Sequence, residues 1–244
     1  MSPKAHLSSC LLLAASVLAP TAARAANSGV GHGTMMVSAE RLFGLSSTRV
    51  TQDTGGGEVS LDQTQFGLAL APFSQAPQIY TIPRLAFDFA IIDGLTVGGS
   101  LGFVLGDTGS SATVGGTTTD ADGPSFTTFL IAPRIGYVLG LGRTLNLWLR
   151  GGFTYFNTAV HTDASALPPN STRTQTLWGM SLNLEPTLMI APFEHVAFTV
   201  GVLVDLPVAG KQSTERTNGS VTTTTSVDTS VRNLGLVAGL VVMF

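Results

Sequence analysis

Few residues of this 244-residue chain could do chemistry, and most are scattered. His161-Thr162-Asp163-Ala164-Ser165 collects a histidine, an acid and a serine, the types a hydrolase uses to activate a nucleophile. A triad is defined by geometry between elements, and neighbours in one short run rarely achieve it. We therefore read this segment as polar surface and assign no catalytic residue; a lipid hydrolase or acyltransferase is the enzymatic alternative it leaves open. His32 and His195 are too dispersed for a metal site. Gly55-Gly56-Gly57 has no following Lys-Ser/Thr, so it is not a phosphate loop. Asp120 and Asp122 lie in a Gly/Thr-rich run without the ligand spacing of a calcium loop. No metal and no cofactor is expected.

The charges with a pattern are Glu40, Arg84, Asp88, Arg134, Arg150, Glu185 and Asp205, each set in an otherwise apolar alternating segment. Counted along their segments, Glu40, Arg84, Arg134, Arg150 and Glu185 fall at similar heights, with Asp88 one layer lower. These six balance, three cations against three anions. A buried charge must be paired or its desolvation is prohibitive. The expectation is a neutral ion-pair network inside the fold. Arg41, next to Glu40, falls by alternation on the opposite, outward side, where it can snorkel.

The elements that would hold these charges are strands. Period-two alternation recurs over 34–46, 80–91, 94–106, 126–139, 144–157, 175–190, 195–208 and 231–244. Short connections at Asp93-Gly94, 140–143 and 191–194 alternate with long ones near 47–79, 107–125, 158–174 and 209–230. Segment 59–71 also has strand character. We place it in the first long connection, as a hairpin standing above the rest; ten strands is the alternative.

One face of each strand is large and apolar. In 94–106 it carries Leu95, Val97, Leu101, Phe103 and Leu105, while Thr96, Gly98, Ser100 and Gly102 make the other. A soluble sandwich would show water a face of Lys, Glu, Arg and Asp. Charged residues are only 11% of this chain, against about 25% in an ordinary soluble domain. Small residues suit the crowded interior of a narrow barrel, and the apolar face suits lipid. After residue 25 no apolar run reaches the length of a membrane helix, although mean hydropathy is positive. The fold class is therefore all-β: a transmembrane antiparallel up-and-down barrel of eight strands with long extracellular loops and short periplasmic turns. A soluble β-sandwich is the alternative fold. Phe43, Tyr80, Tyr155 and Trp178 near the upper strand ends, with Tyr137 and Phe244 near the lower, would form the interfacial belts. Trp148 turns inward and fills lumen space.

Residues 1–25 read as a secretory signal: Lys4, an apolar run from Cys10 to Leu18, then Ala23-Arg24-Ala25. Residues 26–244 form the barrel. Loss of the signal removes Lys4, Arg24 and no acid, turning the net charge of −3 into −5 and taking the single cysteine. Nucleic acid is not an expected partner, and a disulfide is excluded.

In architecture, residues 26–244 resemble the small OmpA/OmpX-type and opacity-type outer-membrane barrels. The one short motif is the alternating strand Leu234 to Met243 closed by Phe244. The resemblance implies a Gram-negative outer membrane, a terminal Phe244 read by the barrel-assembly machinery, outer-membrane lipids as surroundings, and no periplasmic domain after the barrel. It does not imply one function. The expectation is a non-enzymatic structural or surface-recognition barrel with a plugged lumen, its long loops open to an extracellular ligand. The alternative is a narrow pore or small-solute transport barrel.

Overall fold

The computed structural model describes residues 30–53, 57–68, 79–114, 117–162 and 171–244. The signal segment, Gly55, Gly56 and the run 163–165 lie outside them. Nine strands follow one another: β1 (Met35–Asp53), β2 (Glu58–Leu68), β3 (Arg84–Ile92), β4 (Leu95–Val114), β5 (Thr117–Gly140), β6 (Leu145–Thr162), β7 (Ser171–Ile190), β8 (Val196–Asn218) and β9 (Val221–Met243). A single 3-10 turn, Ile79–Thr81, precedes β3.

Every pairing is antiparallel between neighbours, and β1 also pairs with β9, so eight strands close into a ring. The ninth, β2, is a hairpin arm. It pairs with the upper half of β1, from Phe43↔Leu68 to Asp53↔Glu58, while the lower half of β1 pairs with β3. Residues 59–68 of the segment 59–71 thus form this arm outside the ring of eight, as parity required, while 69–71 lie outside the described residues. Arg49 grips Asp62 across this hairpin at 2.6 and 2.8 Å. That hydrogen bond holds the exposed Asp62 carboxyl below the ordinary carboxylate range.

The ring strands are longer than the alternation indicates, except β3. They run from 18 to 24 residues, whereas a tilted strand needs about 9–11 to cross a bilayer. Among the described residues, 107–114, 117–125, 158–162, 171–174 and 209–230 of the expected long loops are instead upward continuations of β4 to β9. These extensions are rich in threonine, a β-branched strand former. Ser213–Ser226 and Thr217–Thr222 hydroxyl contacts bridge the last of them. In the β8–β9 extension both faces meet water, so no apolar alternation marks it. The hairpin turns at Gly219-Ser220, where glycine supplies a φ of 58°.

Large side chains point outward along the lower ring. Phe87, Leu101, Phe103, Ile135, Leu184 and Leu236 are all exposed. Above Leu45, Leu105, Val208 and Leu234 the outward positions turn polar: Ser47, Asp107, Lys211 and Arg232. Trp178, the cross-strand partner of Lys211, marks this boundary.

Candidate functional site: a charge-balanced lumen

The inward face stacks three layers. The lowest is apolar: Met36, Val138, Trp148, Met189 and Val241 pack together, with Val30 turned up beneath them. Backbone bonds from Gly33 to the Ala90 carbonyl and from Gly94 to the Val30 carbonyl hold that plug in place. Trp148 is fully buried, and its indole N–H donates to Thr96 Oγ1 at 3.1 Å. Gly136 makes room for the ring, since a Cβ there would lie 2.5 Å from Trp148 Nε1.

The middle layer is ionic. Arg134 of β5 donates Nε and Nη2 to the Asp88 carboxylate of β3 at 2.9 and 2.5 Å, a forked pair. Its Nη1 reaches Glu40 of β1 at 2.9 Å. Arg150 of β6 binds the same Glu40 and, through Nη2, Glu185 of β7 at 2.6 Å. Thr187 Oγ1 takes a further bond from Arg150 at 3.2 Å. Both guanidiniums lie against the Trp148 ring, 5.5 and 4.5 Å from its centroid, within cation–π range. One network therefore ties five strands together across the lumen.

Two of the seven residues singled out above stand apart from this network. Asp205 of β8 takes a hydrogen bond from Asn233 Nδ2 at 3.2 Å, and Asn233 Oδ1 accepts from Thr48 at 3.1 Å. Arg84, although the cross-strand partner of Glu40, forms no ion pair within 4.0 Å among the described residues. The Nε and Nη2 of Arg84 and the Oδ1 of Asp205 have no hydrogen-bond partner.

The structure corrects two positions. Arg41 does not face outward; it is 2% exposed. Pairing of β1 with β9 shifts between Ala39 and Phe43, and Arg41 sits at the irregularity with a φ of 57°. This bulge sends two successive side chains, Glu40 and Arg41, inward, which regular alternation forbids. Arg41 then donates Nη1 to the Tyr80 carbonyl at 2.7 Å. Among the described residues the buried charges are thereby four arginines and four acids. The seven expected positions alone would have left one acid in excess, and Arg41 balances it.

Tyr80 is the second correction. It is 1% exposed and belongs to no interfacial belt. Because β3 starts only at Arg84, the 3-10 turn drops into the barrel and lays Tyr80 across it. The ring meets Phe156 edge-on at 6.1 Å, and its hydroxyl lies 3.5 Å from Ser181 and 3.4 Å from the Val231 carbonyl. Ile79, Tyr80, Leu130, Phe156 and Leu203 form the upper apolar layer. Of the other aromatics, Phe43, Tyr155 and Phe244 are exposed, while Trp178 and Tyr137 are half-buried. His161 is exposed and contacts Thr174 Oγ1 at 3.0 Å.

No protein-family model matches the chain, and no curated protein sequence matches it. Among solved structures, the outer membrane protein OprG from Pseudomonas aeruginosa aligns over 89% of this chain and 98% of its own, with a TM-score of 0.52 at 13% identity. The fold is that of a small outer-membrane β-barrel. The N-terminal β-barrel domain of Pseudomonas aeruginosa OprF covers 88% of this chain and 99% of its own, at 9% identity and a TM-score of 0.42. Ail of Yersinia pestis covers 87% and 99%, at 14% identity and a TM-score of 0.38. In this barrel the lumen is filled by apolar, ionic and aromatic layers in turn. Eight strands enclose only enough room for side chains, or for one small ligand.

Proposed function

We propose that this chain is a non-enzymatic protein of a Gram-negative outer membrane, exported by residues 1–25, whose barrel anchors in lipid and whose upper hairpins form a recognition surface. The carrying observation is the inversion of its two faces: large apolar side chains lie outside, and a balanced set of eight charges lies inside. In water that outer face would be a very large exposed apolar patch; in lipid it is the favourable side. Lipid and the barrel-assembly machinery are then its partners, with Phe244 read at the end of β9. The test is gel mobility of the lipid-refolded chain, boiled against unboiled. A heat-dependent shift supports the reading. A chain soluble without detergent and lacking the shift overturns it.

One observation favours a second reading, a narrow pore. Buried guanidinium nitrogens of Arg41 and Arg84, and Asp205 Oδ1, have no protein partner. Such groups are costly unless water reaches them. Conductance across planar bilayers separates the two. A plugged barrel stays silent, and stays silent in Tyr80→Gly because the ionic and lower apolar layers remain; a pore conducts unaltered, with selectivity that changes when Arg84 is neutralised.

A further inference from the structure

Above Tyr80 the barrel holds a recess of about 250 Å³. Tyr80 and Ile79 form its floor. Its walls carry the amides of Gln63, Gln175 and Gln212 and the hydroxyls of Thr48 and Thr158. Leu177 and Val231 supply apolar wall between them. Among the described residues, no ionised side chain lines it. Gln212 is already oriented, its Oε1 accepting from Gln52 Nε2 at 2.5 Å.

We propose that this recess is a binding site for a small uncharged molecule of one ring that carries both hydrogen-bond donors and acceptors. Each wall amide carries both donors and an acceptor, so the glutamines complement such a ligand from several directions, while the Thr48 and Thr158 hydroxyls are held by Asn233 and Thr128. An ion would surrender hydration without gaining a counter-charge, which is unfavourable in a partly enclosed site. The apolar wall and the tyrosine floor suit a ring face. The volume equals that of about eight waters and lies just under the lower end of ordinary ligand cavities. The inference goes beyond the anchoring reading, because the recess lies above the Tyr80 plug and exists whether or not the lumen conducts.

The experiment uses the full chain refolded in detergent, with folding checked by the heat-dependent gel shift. Ligand-detected NMR is run with nicotinamide, with its isosteric anion nicotinate, and with glucose and myo-inositol as further neutral single-ring probes. Saturation transfer to at least one neutral probe, and none to nicotinate, is expected. Leu177→Trp fills the recess and abolishes the transfer. Gln175→Leu keeps the volume but removes one amide, and weakens binding about three- to tenfold. Equal transfer to nicotinamide and nicotinate overturns the proposal. So does transfer unaffected by Leu177→Trp, or no transfer to any of the three neutral probes. Each of these results is independent of bilayer conductance, so failure here leaves the anchoring reading standing.

Discussion

Arg134 holds two carboxylates from two strands, Asp88 and Glu40. Removing one partner of a buried pair leaves an uncompensated charge, so Arg134→Met should cost about 3–5 kcal/mol. Urea unfolding in lipid vesicles measures it, and an unchanged midpoint would show that the network carries no stability. Arg41 gives a sharper test because its placement depends on a bulge. If it faced lipid, Arg41→Leu would be neutral or stabilising. Arg41 and Asp205 are both buried and form no ion pair within 4.0 Å among the described residues, so the loss of Arg41 should destabilise, and Asp205→Asn in the same chain should recover part of that loss. The coupling expected from a double-mutant cycle is about 0.5–3 kcal/mol. Additive effects would place the two groups out of reach of one another. Gly136→Val, forced against Trp148, should cost about 1–3 kcal/mol by overpacking.

At the scale of elements, each ring strand changes character partway up. In β4, Leu101 points outward and is exposed, with its neighbour Ser100 buried. Leu101→Arg should cost about 2–4 kcal/mol near the bilayer midplane, whereas the same change at an outward hairpin position such as Thr224 should cost almost nothing. Equal costs would remove the lipid from the argument. Among the described residues, the β8–β9 hairpin adds cross-strand hydroxyl bonds but no buried layer. Replacing Ser213–Ser226 with an Asn-Gly turn should leave the gel shift and the urea midpoint unchanged. The shortness of β3 has the opposite importance. By starting at Arg84 it frees the preceding turn to enter the lumen, so a chain wall is exchanged for a plug.

Over the whole molecule, closure pairs the lower wall on both sides of each ring strand, which removes the edges that an open sheet would expose there. β1 pairs with β9 below the bulge from Met36↔Met243 and above it to Asp53↔Asp228, so the seam is comparable in length with the β5–β6 pairing. Polar backbone is thereby satisfied between strands, the condition for residence in hydrocarbon. The interior is then free to be polar provided its charges cancel, as the four arginines and four acids do. The boiled-against-unboiled mobility shift reports this closure as one cooperative property. Truncating β9 before Leu236 should abolish the shift entirely, since that removes the lower half of the seam.

The number of ring strands, the apolar outer face and seven of the eight inward charges are readable from period two, because a strand repeats its environment every second residue. Trp148 could be placed inside on that ground. What failed was whatever interrupts or outlasts the alternation. Arg41 was misplaced because a bulge shifts phase without a residue signature; no sequence pattern marks Ala39 to Phe43. Tyr80 was misplaced because it lies in a turn that follows no period and is positioned by Arg41, Ser181 and Val231 from three other strands. The β8–β9 extension carries no apolar alternation because water bathes both of its faces. Which arginine meets which acid was likewise a tertiary decision. Glu40 lies opposite Arg84 in the sheet, yet Arg134 and Arg150 take it from across the lumen, because only the closed ring sets the distances between walls.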